Sequence, residues 1–369
     1  MIRIAHIMGK MNGGGVEQVV MNYYQHIDRS VVQFDFLVDS DSTLVPAADI
    51  ERRGGRIFLV PPYQNPIRYS SRIKRLCMQE NWPIVHSHIN ALSIFSLKAA
   101  KQAGVPVRIA HAHSTAGSGE PAKNILKNLL RLFSNLYPTH RFACNQHAGN
   151  WLFGKKEVFE IVPNAIELDN FAFNPTARLE TRIELGLDSN DFVIGHIGRF
   201  MRQKNHDFLI DVFSNIASQC PNAKLLLVGE GELKAKMQAK VRSRNLANRI
   251  LFLGQRNDVS RLYQAFDLFV LPSLYEGQPV VAIEAQASRL PCLFSDAISE
   301  SAIISEEAIS LPGNDMIAWE NALLQHITLR TPARRNETHD ISEDYNIGIA
   351  AKKLSLRYNS LVKESQSGV

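Results

Sequence analysis

Cysteine is scarce in this chain: Cys77, Cys144, Cys220 and Cys292 are the only four in 369 residues, widely spaced and without a C-x-x-C pair. That excludes a disulfide framework or a zinc knuckle and leaves four reduced core residues. Long apolar runs are missing as well, so no segment reads as a bilayer-spanning helix. Met1 leads straight into the strand-like 2–7 segment with no basic-then-apolar leader, and the expected location is the cytosol. There is no low-complexity tract and no short-period repeat. Nor is there a basic run interleaved with aromatics or a zinc-finger, RNP-like or basic-zipper pattern, which argues against nucleic acid as a partner.

What is present suits a globular protein: 45% apolar and 21% charged residues can bury substantial cores, and the length favours two domains over one. The formal charge of +5 is uneven. Residues 1–180 hold 20 basic against 14 acidic side chains, the remainder 21 against 22. A basic first half would suit an anionic partner, either a phospholipid surface or a phosphate-bearing acceptor.

Short β-branched runs alternate with longer amphipathic stretches throughout, the pattern of parallel strands joined by crossover helices. Strands are predicted near 2–8, 33–38, 56–60, 84–88, 107–113, 141–145 and 159–163, then near 192–198, 223–229, 250–254, 268–272, 291–295 and 308–311. This is an α/β reading with two successive Rossmann-like, doubly wound domains, over 1–175 and 190–344. The 164–190 stretch, polar and with Pro175 and one short helical stretch around 177–185, reads as the interdomain connection, and a closing helix over 345–369 is expected to pack back toward the first domain. Ligands of such sheets bind beyond the carboxyl ends of the strands, so two facing domains would place the site in the cleft between them.

The most informative stretch is Leu271-Pro272-Ser273-Leu274-Tyr275-Glu276-Gly277-Gln278-Pro279-Val280-Val281-Ala282-Ile283-Glu284-Ala285. It reads as a strand end, a Gly/Pro turn and a helix with Pro279 in its first turn, so that N–H groups near Gly277 to Val280 would face a diphosphate. Glu276 and Glu284 are about two helical turns apart, roughly 12 Å, a span that would bracket a diphosphate between two hydroxyl-bearing sugars. The plainer alternative is an acidic helix start and an exposed Glu. Upstream, Ile194-Gly195-His196-Ile197-Gly198-Arg199-Phe200 enters a glycine turn, followed by Gln203-Lys204. Arg199 and Lys204 there would neutralise a departing diphosphate; a solvated helix start is the competing reading. Gly229 in Val228-Gly229-Glu230-Gly231, with Gly254 and Gln255, completes a set of strand-end turns able to hold a nucleobase through backbone contacts, although a lone Gly-x-Gly is weak.

In this combination the chain resembles the GT4 family of retaining glycosyltransferases, of GT-B fold, and within it the bacterial capsular and exopolysaccharide branch. The resemblance runs from Gly13-Gly14-Gly15-Val16-Glu17 through Val162-Pro163-Asn164-Ala165 and His196-Ile197-Gly198-Arg199 to the E-x7-E segment and Leu290-Pro291. It implies that Arg199 and Lys204 bind the donor diphosphate, Glu284 the ribose and Glu276 the hydroxyls of the transferred sugar. It also implies that Gly14 and Gly15 let a backbone loop approach the phosphates, with Glu17 either orienting that loop or serving as an ordinary helix-start acid. His113 is implied at the reaction centre, the plainer alternative being a satisfied polar residue at a strand terminus. Two residues depart from the family pattern. Gln278 stands where a small or apolar residue is usual and would bear on donor choice; Arg289 replaces a common Gly at a left-handed helix end, at a cost of about 1 kcal/mol.

In the first half, His86-Ser87-His88 and His111-Ala112-His113-Ser114-Thr115 sit at predicted strand ends, and alternation sends both His of a pair to one side. His-x-His is also a metal-ligand pattern, but no supporting carboxylate motif follows it, and no essential metal or other cofactor is expected. His88 and His111 are weaker candidates for acceptor contact. Asp39-Ser40-Asp41 formally reads D-x-D and is taken as a solvated loop. The 121–138 stretch sets Ile125, Leu126, Leu129, Leu130, Leu132, Phe133 and Leu136 against Lys123, Lys127 and Arg131, which reads either as a core helix with a solvated face or as a helix lying peripherally on a membrane.

The resulting expectation is transfer of a hexose or N-acetylhexosamine from a nucleotide sugar, UDP-linked, onto a saccharide acceptor that is lipid-diphosphate-linked, with retention and with the leaving phosphate taking the acceptor's proton. The alternatives are a sugar-nucleotide 2-epimerase of the same fold and a catalytically silent sugar-binding scaffold.

Overall fold

A computed structural model describes residues 1–114, 121–329 and 341–367, with the backbone alone over 121–124. The chain divides into two compact units, 1–166 with 342–369, and 167–341. Every strand read from the sequence is present, with ends within two residues.

The first unit is built on a parallel seven-stranded sheet of β1 (Ile2–Gly9), β2 (Val32–Asp39), β3 (Arg56–Val60), β4 (Ile84–Ser87), β5 (Val107–Ala112), β6 (His140–Ala143) and β7 (Glu160–Ile161), in spatial order β3-β2-β1-β4-β5-β6-β7. All eight residues of β2 are buried, as expected of a parallel strand covered on both faces. Burial alone would raise the Asp35 carboxyl, but Arg3 at 2.6 Å, Arg56 at 2.5 Å and Trp82 Nε1 at 2.8 Å donate to it and hold it below the usual carboxylate range. Asp39 corrects the D-x-D reading: it is the buried last residue of β2, raised to about 6 by burial and then by Asp41, while exposed Asp41 pairs with Lys10 at 2.7 Å.

The closing helix Ile347–Ser367 belongs to this unit. Its Ile347, Ala350, Ala351, Leu354, Tyr358 and Leu361 recur at helical spacing and are buried, while Arg357 grips Glu160 of β7 at 2.7 Å.

The second unit repeats the architecture with β8 (Phe192–Ile197), β9 (Ala223–Val228), β10 (Ile250–Gly254), β11 (Leu268–Leu271), β12 (Cys292–Ser295) and β13 (Ala308–Leu311), parallel and in the order β10-β9-β8-β11-β12-β13. The stretch read as an interdomain connection joins this unit from Glu167 onward. Its helix Pro175–Glu184, capped by the Asn174 side chain, places Arg178 and Arg182 on the carboxylate of Asp267, just ahead of β11. The helix is the one short helical stretch expected in the connection, two residues earlier at its start and one at its end.

Both sheets reverse direction once, between β1 and β4 and between β8 and β11. At such a switch point the connections leave toward opposite faces and open a crevice at the carboxyl ends of the strands. The Gly13-Gly14-Gly15 loop and His88 follow β1 and β4, and the Gly198–Lys204 and Ser273–Glu276 loops follow β8 and β11.

Candidate active site

The switch point of the second sheet is pinned by contacts between its two loops. Leu274 N–H donates to Gln203 C=O at 2.8 Å, and Gln203 Nε2 donates to Tyr275 C=O at 2.9 Å. That clamp sets Lys204 beside Glu276, Nζ donating to Oε1 at 2.6 Å with both side chains largely buried. Gly198 makes room for the approach: a Cβ there would lie 3.1 Å from Lys204 Cγ and Cδ, so the lysine stem crosses the glycine. Arg199, the next residue, is exposed. Gln203 carried no functional signal in the sequence, because its role lies in two backbone contacts more than seventy residues away.

The helix after this turn spans Val280–Ala287, with Pro279 as its N-cap residue rather than within its first turn, and no side chain caps it. Among the described residues its first backbone N–H groups therefore receive no side-chain acceptor from this cap. Gly277, Gln278, Pro279 and Val280 are buried, and the Gln278 amide donates to Ser301 C=O at 3.4 Å. Glu276 precedes the helix and pairs in a short parallel bridge with Ile298. Glu284 is buried, which removes the exposed-Glu alternative, and the Tyr263 hydroxyl donates to its Oε2 at 2.9 Å. Tyr263 is itself pushed well above the ordinary phenol range by burial and by that carboxylate. The sequence reading did not single out Tyr263, whose partner lies one helix further along the chain.

The remaining glycines separate into two kinds. Gly229 adopts φ +137°, and a Cβ on it would meet Gly198 O at 2.2 Å; it serves the close packing of the β8 and β9 loops. Gly254 ends β10 at φ +69° and accepts from Gly229 N–H at 2.8 Å, beside exposed Gln255. Arg289 occupies the left-handed region at φ 56°, as its place at the helix end predicted.

In the first unit, Glu17 orients the glycine loop directly: its two carboxylate oxygens accept from Asn12 N–H at 2.8 Å and Gly13 N–H at 2.7 Å. Gly13 carries the positive φ, +79°. Gly14 is the N-cap of the helix Gly15–His26, and among the described residues a Cβ on Gly15 would meet nothing within 4 Å. Among the described residues no contact therefore requires glycine at 15.

His113 is buried; Asn90 Oδ1 accepts from its N–H at 2.9 Å, and its Nε2 is 2.9 Å from His88 Nδ1. His86 Nε2 is 3.1 Å from His111 Nδ1, and both are buried. Burial lowers His113 to about 3, so its imidazole is neutral. Thr115, in the same motif, lies outside the described residues. In the helix Pro121–Arg131, Ile125, Leu126 and Leu129 are exposed, as are Leu132, Phe133 and Leu136 just beyond it; the side chain of Lys123 lies outside the described residues.

Comparison with known proteins matches the description Glycosyltransferase Family 4 over residues 13–170 and Glycosyl transferases group 1 over 177–342. EpsF of Bacillus subtilis (strain 168), designated a glycosyltransferase, is 38% identical over 308 residues, 81% of this chain and 80% of its own. The chain belongs to glycosyltransferase family 4. A UDP-Gal:alpha-D-GlcNAc-diphosphoundecaprenol alpha-1,3-galactosyltransferase of Escherichia coli is 29% identical to this family 4 enzyme over 88% of it and 87% of the relative. Among solved structures, Anabaena HepE in complex with UDP-glucose superposes with a TM-score of 0.75 over the whole of both chains at 18% identity. WaaG, a glycosyltransferase involved in lipopolysaccharide biosynthesis, superposes at 0.73 over 97% of this glycosyltransferase and 99% of its own chain, at 16% identity. The fold is accordingly GT-B, and no helix among the described residues is long and apolar enough to cross a membrane.

Proposed function

We propose that this family 4 glycosyltransferase moves a hexose or N-acetylhexosamine from a UDP-linked donor, with retention, onto a lipid-diphosphate-linked saccharide during assembly of a surface polysaccharide. One observation carries the reading: a largely buried ammonium, Lys204, and a carboxylate, Glu276, lie within 2.6 Å at the switch point of the second sheet, next to an uncapped helix start. Support for the nucleotide comes from a GT-B structure titled as a UDP-glucose complex, and for the acceptor from the relative whose name specifies a diphosphoundecaprenol-linked sugar. Support for the polysaccharide comes from relatives such as CapH of Staphylococcus aureus, named for capsular polysaccharide biosynthesis.

In this reading Arg199, Lys204 and the backbone N–H groups over 277–280 hold the diphosphate and stabilise its charge as the glycosidic bond breaks. Glu276 accepts from hydroxyls of the transferred sugar and Glu284 from the ribose. Gly198, Gly229, Gly254 and Gln255 shape the donor loops, and Gln278 bears on donor choice. Gly14 and Gly15 let a backbone loop approach the donor phosphates, His113 contributes at the reaction centre, and His88 and His111 are the weaker candidates for acceptor contact. The leaving phosphate oxygen takes the proton of the attacking hydroxyl, so no carboxylate nucleophile is required. With the diphosphate charge met by fixed cations, the transfer step calls for no metal on the donor. The exposed apolar residues of 125–136 rest on the inner face of an anionic membrane, where a lipid-linked acceptor would present its sugar.

The test is a panel of nucleotide sugars with lipid-diphosphate-linked saccharides, read by mass spectrometry and by the anomeric configuration of the product. One UDP-sugar should yield a retained product without added magnesium or manganese. A nucleotide sugar rearranged in the absence of acceptor, or no affinity for any nucleoside diphosphate, overturns the reading.

A further inference from the structure

Five histidines meet within the first unit: His6 in β1, His86 in β4 with His88 just beyond it, and His111 in β5 with His113 just beyond it, all at most 5% exposed. Their rings join into two chains. In one, His6 Nδ1 is 2.9 Å from His88 Nε2, and His88 Nδ1 is 2.9 Å from His113 Nε2. In the other, His86 lies between the Tyr358 hydroxyl at 2.7 Å and His111 Nδ1 at 3.1 Å.

Burial lowers His6 and His113 to about 3 and His88 well below its ordinary value, so each ring is neutral and carries its proton on one nitrogen. Each contact of the first chain needs one N–H and one bare nitrogen. His88 stands in both contacts, so its single proton decides them together. With that proton on Nε2, His88 donates to His6 Nδ1 and its bare Nδ1 accepts from His113 Nε2; all three rings then carry the proton on Nε2, and His113 Nδ1 is bare. With the proton on Nδ1 the pattern reverses, all three carry it on Nδ1, and His113 Nδ1 is a donor. No mixed arrangement makes both hydrogen bonds. The two atoms at the ends of the chain, His6 Nε2 and His113 Nδ1, are buried and have no partner among the described residues. The His6 end is closed in by aromatic rings, with the Phe34 centroid 3.9 Å away. The His113 end follows a strand on the side where ligands of such a sheet bind.

We propose that His6 and His88 are positioning residues for the transfer, fixing through one shared tautomer whether His113 Nδ1 donates to a substrate oxygen or accepts from a substrate hydroxyl. This rests on the reading that places His113 at the reaction centre. His88, a weaker candidate for acceptor contact, has both ring nitrogens engaged, so its polar atoms act through His113. His6 acts one ring further away and closes the chain at its buried end. A lone imidazole exchanges its tautomer by itself, whereas three in series exchange only when all three protons move. The polarity that His113 offers an incoming ligand is thereby set before the ligand arrives.

The experiment records ring-nitrogen NMR shifts, which separate N–H from bare nitrogen, on the histidine-labelled full chain near neutral pH, with resonances assigned by single substitution. His6, His88 and His113 should all be neutral and show the same division between Nδ1–H and Nε2–H. Unlike tautomers, or a charged ring among the three, overturn the proposal in the wild type alone, even if no variant folds. His6→Phe keeps a ring and cuts the chain. The tautomer of His113 should shift, and kcat should fall roughly fivefold to tenfold, about the weight of one hydrogen bond, while UDP affinity by calorimetry is retained. His6→Asn sets an amide near the Nδ1 position, able to donate or accept, and should restore both. Tyr358→Phe, in the other chain, should leave the three rings matched. Wild-type shifts and kcat in His6→Phe, an Asn variant as impaired as the Phe variant, or loss of matching in Tyr358→Phe each overturn the proposal. Failure of the transfer reading is read separately, as absence of turnover by the wild type on every nucleotide sugar.

Discussion

Lys204 and Glu276, separated by 72 positions in the chain, are bound to each other at 2.6 Å with most of both side chains out of solvent. The pair unites the two groups that the E-x7-E segment and the Gly198–Lys204 turn had each offered separately. In the proposed reaction the ammonium exchanges its carboxylate for phosphate oxygens, which leaves Glu276 to accept from sugar hydroxyls. Each group thus holds the other in place for its later partner.

Lys204→Ala should lower kcat/KM by roughly a hundredfold to a thousandfold, since one preorganised donor to a developing oxyanion is worth about 3–4 kcal/mol. Steady-state kinetics beside a melting curve checks it. Turnover within a few-fold of wild type would remove Lys204 from the mechanism.

Gly15→Ala separates a ligand role from a folding role. Because a Cβ at 15 meets nothing within 4 Å among the described residues, the fold should be unchanged or firmer by up to about 1 kcal/mol. Activity should nonetheless fall at least tenfold, about 1.4 kcal/mol in the barrier. Full activity in a stable variant would mean that no ligand approaches this helix start.

Tyr263→Phe deletes the hydroxyl that fixes Glu284 Oε2 at 2.9 Å. A hydrogen bond to a buried carboxylate is worth about 1.5–3 kcal/mol, so UDP affinity by calorimetry should weaken roughly tenfold or more. Glu284→Gln should weaken it by a similar factor, and the double variant should add little to either. Additive losses would show that the two residues act apart.

Stability should depend on pH through His196 and His206. Burial lowers His196 to about 4 and His206 to about 2 against an ordinary value of 6.5. The unfolded chain therefore binds more protons between pH 6.5 and those values, and stability is complete above pH 6.5 and lost as pH falls. By pH 5 each contributes a loss of about 2 kcal/mol. Asp39, raised to about 6, works in the opposite direction but is a single group. Melting temperature should drop between pH 7.5 and pH 5; a flat profile would contradict the neutral, buried state of these rings.

Much of this molecule was legible in one dimension because its signals are local. Strand and helix periodicity, the glycine turns after β1, β8 and β9, and the left-handed Arg289 all follow from a residue and its near neighbours. So does the family, whose motifs are runs of adjacent residues. What sequence could not supply depends on which strands become neighbours. Whether Asp39 lies in solvent or at a buried strand end is decided by the sheet. That the helix of the connection lies on the second unit, with Arg178 and Arg182 on Asp267 some ninety residues away, is visible only in three dimensions. Two His-x-His pairs and His6 are ordinary strand-end residues in the linear chain; only the order β1-β4-β5 stacks them into one cluster. Local backbone preference is written in each segment, whereas a buried polar contact exists only once two distant segments share the same face, and burial then sets what charge its partners can carry.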